Sequence, residues 1–117
     1  MKAAIFFILF PAFLFTQDVQ KTVPPLRYTA ALFSRGDSWD STKTPNEQPH
    51  FLQHGKNLKK LKEEGKIAIG ARFGEFGMVV FKSDNAAEVR SFFLEDSLIV
   101  LKYLNMELMP FTPFYKG

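Results

Sequence analysis

The run Phe76-Gly77-Met78-Val79-Val80-Phe81 limits what this chain can fold into more than any other stretch. Successive side chains of a strand point to opposite faces. Here both alternating sets are mostly apolar, with Phe76, Met78 and Val80 on one side and Val79 and Phe81 on the other. Such a strand needs cover on both faces, so the rest of the chain must supply one layer and something further must supply the second.

The flanking sequence predicts the first layer. Lys66 to Arg72 (KIAIGAR) reads as the preceding strand, and Phe73-Gly74-Glu75 as the turn of a hairpin. Upstream, Phe51, His54, Leu58, Leu61 and Gly65 recur at three and four residues, while Lys56, Lys59, Lys60 and Glu63 project from the opposite side. That is an amphipathic helix ended by a glycine. Its lysines read as a solvated face, with Lys59 and Glu63, or Lys60 and Glu64, at i,i+4 spacing. Thr44-Pro45-Asn46-Glu47 has the form of a capping box, but Pro49 removes an amide from the next turn, so the helix kinks or begins there. Ser83-Asp84 predicts the cap of a second helix through Asn85 to about Glu95, with Ala86, Val89, Phe93 and Asp96 on one face.

Arg27 to Phe33 reads as a first strand and Asn105 to Phe111 as a last one closed by Pro110, while Leu98 to Leu104 fits helix or strand equally well. The predicted order is the α+β, ferredoxin-like βαββαβ unit, a four-stranded antiparallel sheet with two helices on one face. Two helices cover one face only. A homodimer packing sheet against sheet is the expected cover for the other.

At the amino terminus, Met1-Lys2 precedes thirteen uncharged residues, Ala3 to Phe15, five of them phenylalanine. This pattern predicts a secretory signal peptide over residues 1–17, too short for the roughly 20 residues of a membrane span. No stable membrane anchor is expected after its removal, and the product is expected to be exported, periplasmic or extracellular. Residues 18–25 read as a flexible leader and 26–117 as one domain. Without residues 1–17, 14 Lys+Arg face 12 Asp+Glu, too slight an excess to suggest a nucleic-acid partner. The chain has no cysteine, hence no disulfide and no thiol nucleophile.

Local pattern leaves the candidate residues open. His54 lies inside the apolar stripe, either as a core histidine bonded to backbone or as a working group. Asp96 is either a helix-end carboxylate or a partner for such a group. Arg35 and Trp39 sit on the long connection Ser34 to Thr44, where they either order the loop or touch a ligand. His50 and His54 stand at the spacing of a two-histidine metal site, but no cysteine or third histidine completes it, and neither metal nor cofactor is expected. The 76–81 strand imitates an RNA-binding strand but has Gly74-Glu75 and Met78 where the basic residue and the central aromatic belong.

His54, Leu58 and Leu61, Glu63-Glu64-Gly65-Lys66 leading straight into a strand, an aspartate ending the second helix, and a closing Met109-Pro110-Phe111 together resemble the YciI-like (YCII-related) family. Leu32-Phe33-Ser34-Arg35-Gly36 is similar to its exported branch. The resemblance spans about residues 26 to 115 and implies a dimeric α/β-barrel type of fold, with His54 and Asp96 as the active-site pair. A related dehydrochlorinase is among the few members given an activity. The chain departs from the family at Ser97, where proline usually follows the aspartate, and at Ala71-Arg72, where the family has Gly-Pro.

An imidazole, with a reference pKa of about 6.5, exchanges protons at neutral pH, and a carboxylate on one ring nitrogen fixes the tautomer and leaves the other as base. The expected function is acid/base chemistry on a small organic compound, proton abstraction or lyase-like elimination. The alternative is a non-catalytic small-ligand binding module with the same cleft. Trp39, Phe51 and Phe73 are the expected apolar walls, and Arg35 or Arg72 the expected holder of an anionic substituent.

Overall fold

The structure, a computed structural model, describes residues 27–115 and 117, so the expected signal peptide and leader lie outside the described residues. Four strands form one antiparallel sheet: β1 (Tyr28–Arg35), β2 (Ile67–Phe73), β3 (Phe76–Phe81) and β4 (Leu104–Phe111), in the order β2-β3-β1-β4. Helix α1 (Phe51–Glu63) joins β1 to β2 after a single 3-10 turn at Pro45–Glu47. Two short helices, α2 (Ala86–Ser91) and α3 (Ser97–Val100), join β3 to β4. This is an α+β fold compatible with the ferredoxin-like arrangement. Among the described residues no helix is long and apolar enough to cross a membrane.

The core lies between one sheet face and the helices. Ala31 and Phe33 of β1 and Val79 and Phe81 of β3 meet Leu61 of α1, Val89 of α2 and Phe93, all buried. Each fully buried large apolar side chain contributes about 1.5–3 kcal/mol, so Phe81, wholly enclosed between Phe92 and Phe93, anchors this layer. The solvated side of α1 carries the expected ion pair between Lys60 and Glu64 at 3.4 Å.

Pro49 marks a beginning, not a kink: α1 starts at Phe51, after His50, which stands at the N-cap position in the left-handed region at φ 68° and makes no side-chain capping bond. His50 thus stands outside the helix, exposed beside Tyr103, and does not share the face of His54. Asn85, instead of Ser83 or Asp84, caps α2 by accepting the Glu88 amide at 3.2 Å. That helix also ends at Ser91 and not near Glu95. The amides of Phe92 and Phe93 reach back only three residues, to Val89 and Arg90, which tightens the chain out of α-helix. Asp96 therefore sits on no helical stripe; it opens α3 as its N-cap.

A bulge in β2 decides which side chains face the helices. Ile67 pairs with Phe81 and Ile69 with Val80, so the register slips between them. In an unbroken strand Ile67 and Ile69 would share a face. With the slip, Ile67 joins the core while Ile69, Ala71 and Phe73 turn to the outer sheet face and Gly70 and Arg72 to the helix side. The outer face accordingly exposes a run of large apolar groups: Ile69 at 54%, Phe73 at 50%, Phe76 and Met109.

Candidate functional site

Three side chains of α1 clamp the segment that carries Asp96. Gln53 donates to the Glu95 carbonyl at 3.3 Å and accepts the Ser97 amide at 3.2 Å. Asn57 donates to the Phe92 carbonyl at 3.1 Å and to Asp96 Oδ2 at 3.3 Å. Between them, His54 Nδ1 lies 2.7 Å from Asp96 Oδ2, with His54 5% and Asp96 2% exposed. The other carboxylate oxygen, Oδ1, accepts the Leu98 amide at 3.1 Å, the capping bond of α3.

Those contacts fix the charge state of the aspartate. Burial works to raise its pKa, but the hydrogen bond and charge of His54, with Asn57 and the Leu98 amide, outweigh it and hold the Asp96 carboxyl below the usual carboxylate range. An ionised carboxylate only accepts hydrogen bonds, so Nδ1 of neutral His54 is the donor and Nε2 carries the lone pair. Nε2 bonds no group among the described residues, yet every buried side-chain nitrogen and oxygen there has a partner. Nε2 is thus the nitrogen not engaged by Asp96, and His54 lines the space beside its ring.

That space is a cavity of about 490 Å³, the size of a small-ligand site, between the N-terminal half of α1 and the sheet. His54, Gly55 and Leu58 line it from α1, Phe33 and Arg35 from β1, and Gly70 and Arg72 from β2, with Glu75 and Gly77 at the hairpin. Phe51, Trp39 and Pro45 close a further side. The His54 ring is held edge-on to Phe33 at 5.4 Å, with Phe51 at 6.2 Å and Phe93 at 6.4 Å. Arg35 lies over the Trp39 ring at 5.1 Å and 3.7 Å from Glu75.

Of the residues singled out in the sequence, His54, Arg35, Trp39, Phe51 and Arg72 line one cavity, and Asp96 stands directly behind His54. Phe73 does not join them. The bulge turns it to the outer face, where it packs on Phe76 at 5.7 Å. Ser97 accounts for itself: its amide bonds Gln53, which a proline could not do, while the first position of α3 would accept either residue.

Sequence reasoning missed Gln53, Asn57 and Gln48. Asn57 follows His54 by three residues, one turn along the same face, a signal that was there to find. Gln48 had none. It is buried and staples the Trp39 loop, accepting the Asp40 amide at 3.0 Å and donating to the Asp40 carbonyl at 2.7 Å. The base of that loop is tied to the turn before β4, where Gly36 donates to the Tyr103 carbonyl and Ser38 to Lys102 and Leu101.

Fold and site together describe an α+β protein with a buried histidine–carboxylate pair backing an open cavity. No family model matches the chain, and no curated protein and no solved structure matches it. Among the described residues no group of three or more His, Cys, Asp or Glu side chains is placed to hold a metal ion.

Proposed function

We propose that the cavity is the site of acid/base chemistry on a small organic compound, proton abstraction or lyase-like elimination, with His54 Nε2 as the group that takes and returns the proton. The observation that carries this reading is the 2.7 Å contact between His54 Nδ1 and Asp96 Oδ2, which leaves Nε2 as the uncommitted nitrogen of a ring that lines the cavity. Asp96 fixes the tautomer and stabilises the imidazolium formed when Nε2 is protonated. The aromatic surround keeps the ring in place and lowers the local polarity around the reacting atoms.

Membership in the YciI-like family is part of the proposal. The antiparallel order β2-β3-β1-β4 and the meeting of a helix histidine with an aspartate 42 positions later support it. The exposed apolar outer face of the sheet supports a homodimer. The uncharged, phenylalanine-rich run from Ala3 to Phe15 supports export.

The test is deuterium uptake from heavy water into a panel of 2-oxo acids, enolisable ketones and β-chloro acids, monitored by proton NMR. Uptake or chloride loss with the wild type, lowered about 10²–10⁴-fold in His54→Ala and Asp96→Asn with native circular dichroism, supports the reading. Ligand binding without turnover in the wild type, surviving both substitutions, would make the protein a binding module.

A further inference from the structure

Four ionisable side chains line the cavity: Arg35, His54, Arg72 and Glu75. Their commitments differ. Arg35 is engaged twice, by Glu75 at 3.7 Å and by the face of Trp39 at 5.1 Å. Arg72 forms no ion pair among the described residues. With His54 in its neutral form, the wall therefore holds one cation more than it balances.

The backbone has placed that cation by an irregularity. The slip between Ile67 and Ile69 turns Arg72 toward the helix side, opposite Gly77 and two residues after Gly70. Neither glycine has a side chain to fill the floor on this side of the sheet, and added Cβ atoms there would meet their nearest neighbours only at 3.9 Å. Above, Gly55 of α1 faces open space, with nothing within 4 Å of an added Cβ. Arg72, itself exposed, borders this largely apolar space, and a guanidinium matches a carboxylate through two parallel hydrogen bonds. The flat wall available to the rest of such a ligand is Trp39, held by Arg35 on one side.

We infer that the cavity takes an aromatic monocarboxylate, its carboxylate held by Arg72 and its flat ring lying along Trp39. This ligand class rests on the acid/base reading for the chemistry after binding, and it fills in the kind of compound which that reading leaves open. A cation would meet Arg72 unfavourably, and the second charge of a dianion would find Glu75.

Trp39 is the single tryptophan of the chain, so its fluorescence reports occupancy of the cavity directly. The probes are phenylacetate, its uncharged amide and the dianion phenylmalonate. Phenylacetate is expected to bind at least about tenfold more tightly than either of the others, the scale of a charge-assisted bidentate contact. Arg72→Gln should reduce phenylacetate to the level of the amide, and Gly55→Leu should remove binding of all three by filling the space. Lys62→Gln, on the solvated side of α1, should change nothing.

Equal binding of acid and amide, an unchanged Arg72→Gln, or no saturable signal with any probe overturns the inference. So does an equal loss in Lys62→Gln, which would mark a net-charge effect. Acid selectivity without any deuterium uptake would defeat the acid/base reading and leave the ligand class standing. Uptake by uncharged ketones alone would do the reverse.

Discussion

Nδ1 of His54 and Oδ2 of Asp96 lie 2.7 Å apart although 42 residues separate them in the chain, and the same carboxylate caps α3 through its other oxygen. The pair therefore couples the site to the fold. Whatever removes the carboxylate removes both the orientation of the imidazole and the start of a helix.

Asp96→Ala should accordingly destabilise the protein by about 2 kcal/mol or more, from a lost cap of about 1 kcal/mol and buried donors on His54 and Asn57 left unmatched. Urea unfolding measures this as a lower midpoint at unchanged slope. A midpoint within error of the wild type would show that the three hydrogen bonds contribute nothing net.

Acid should weaken the fold through the same group. The folded Asp96 carboxyl titrates below its ordinary value of 3.8, so the unfolded chain binds the proton first as pH falls. Its stabilisation is complete above the unfolded value and is lost as pH drops through the lower folded one. Urea midpoints measured from neutrality down to about pH 3 should fall more steeply in the wild type than in Asp96→Asn. Parallel curves would contradict the assignment.

Two glycines should respond with opposite signs. A Cβ on Gly36 would lie 2.2 Å from the Lys102 carbonyl oxygen, so Gly36→Ala must push the Trp39 loop from its anchor and should cost about 1–3 kcal/mol. Gly55 lies in a helix with nothing near, and Gly55→Ala should add about 0.8–1 kcal/mol. Thermal unfolding of the two variants, read side by side, checks both.

The outer sheet face should bury on self-association. Sedimentation equilibrium is expected to give a dimer for the wild type and a folded monomer for Ile69→Glu, because Ile69 is 54% exposed in the single chain and its replacement disturbs no core contact. A monomeric wild type, or a dimer indifferent to this change, contradicts the expectation.

Much of the architecture was readable because period and composition carry it. The strand 76–81 declared two apolar faces, and the stripe through His54, Leu58 and Leu61 gave α1 its buried side. The approach of His54 to Asp96 depends on three-dimensional closure and was reachable only through a family resemblance. The bulge was not readable at all. Ile67, Ile69, Ala71 and Phe73 look like one face of a regular strand, and a one-residue slip sends Phe73 out of the cavity and Arg72 into it. Gln48 stayed hidden for a different reason, since its partners are mostly backbone carbonyls of a loop whose path no local pattern fixes.

The tautomer of His54 decides whether Asp96 leaves Nε2 as the base. Long-range nitrogen–proton correlation spectra distinguish the protonated ring nitrogen of a neutral imidazole from the bare one, with exposed His50 as an internal reference. Neutral His54 is expected to carry its proton on Nδ1, with Nε2 bare, and Asp96→Ala is expected to erase this preference. Neutral His54 protonated on Nε2, with Nδ1 bare, would contradict its role as the base, because Nε2 would then have no lone pair with which to accept a proton.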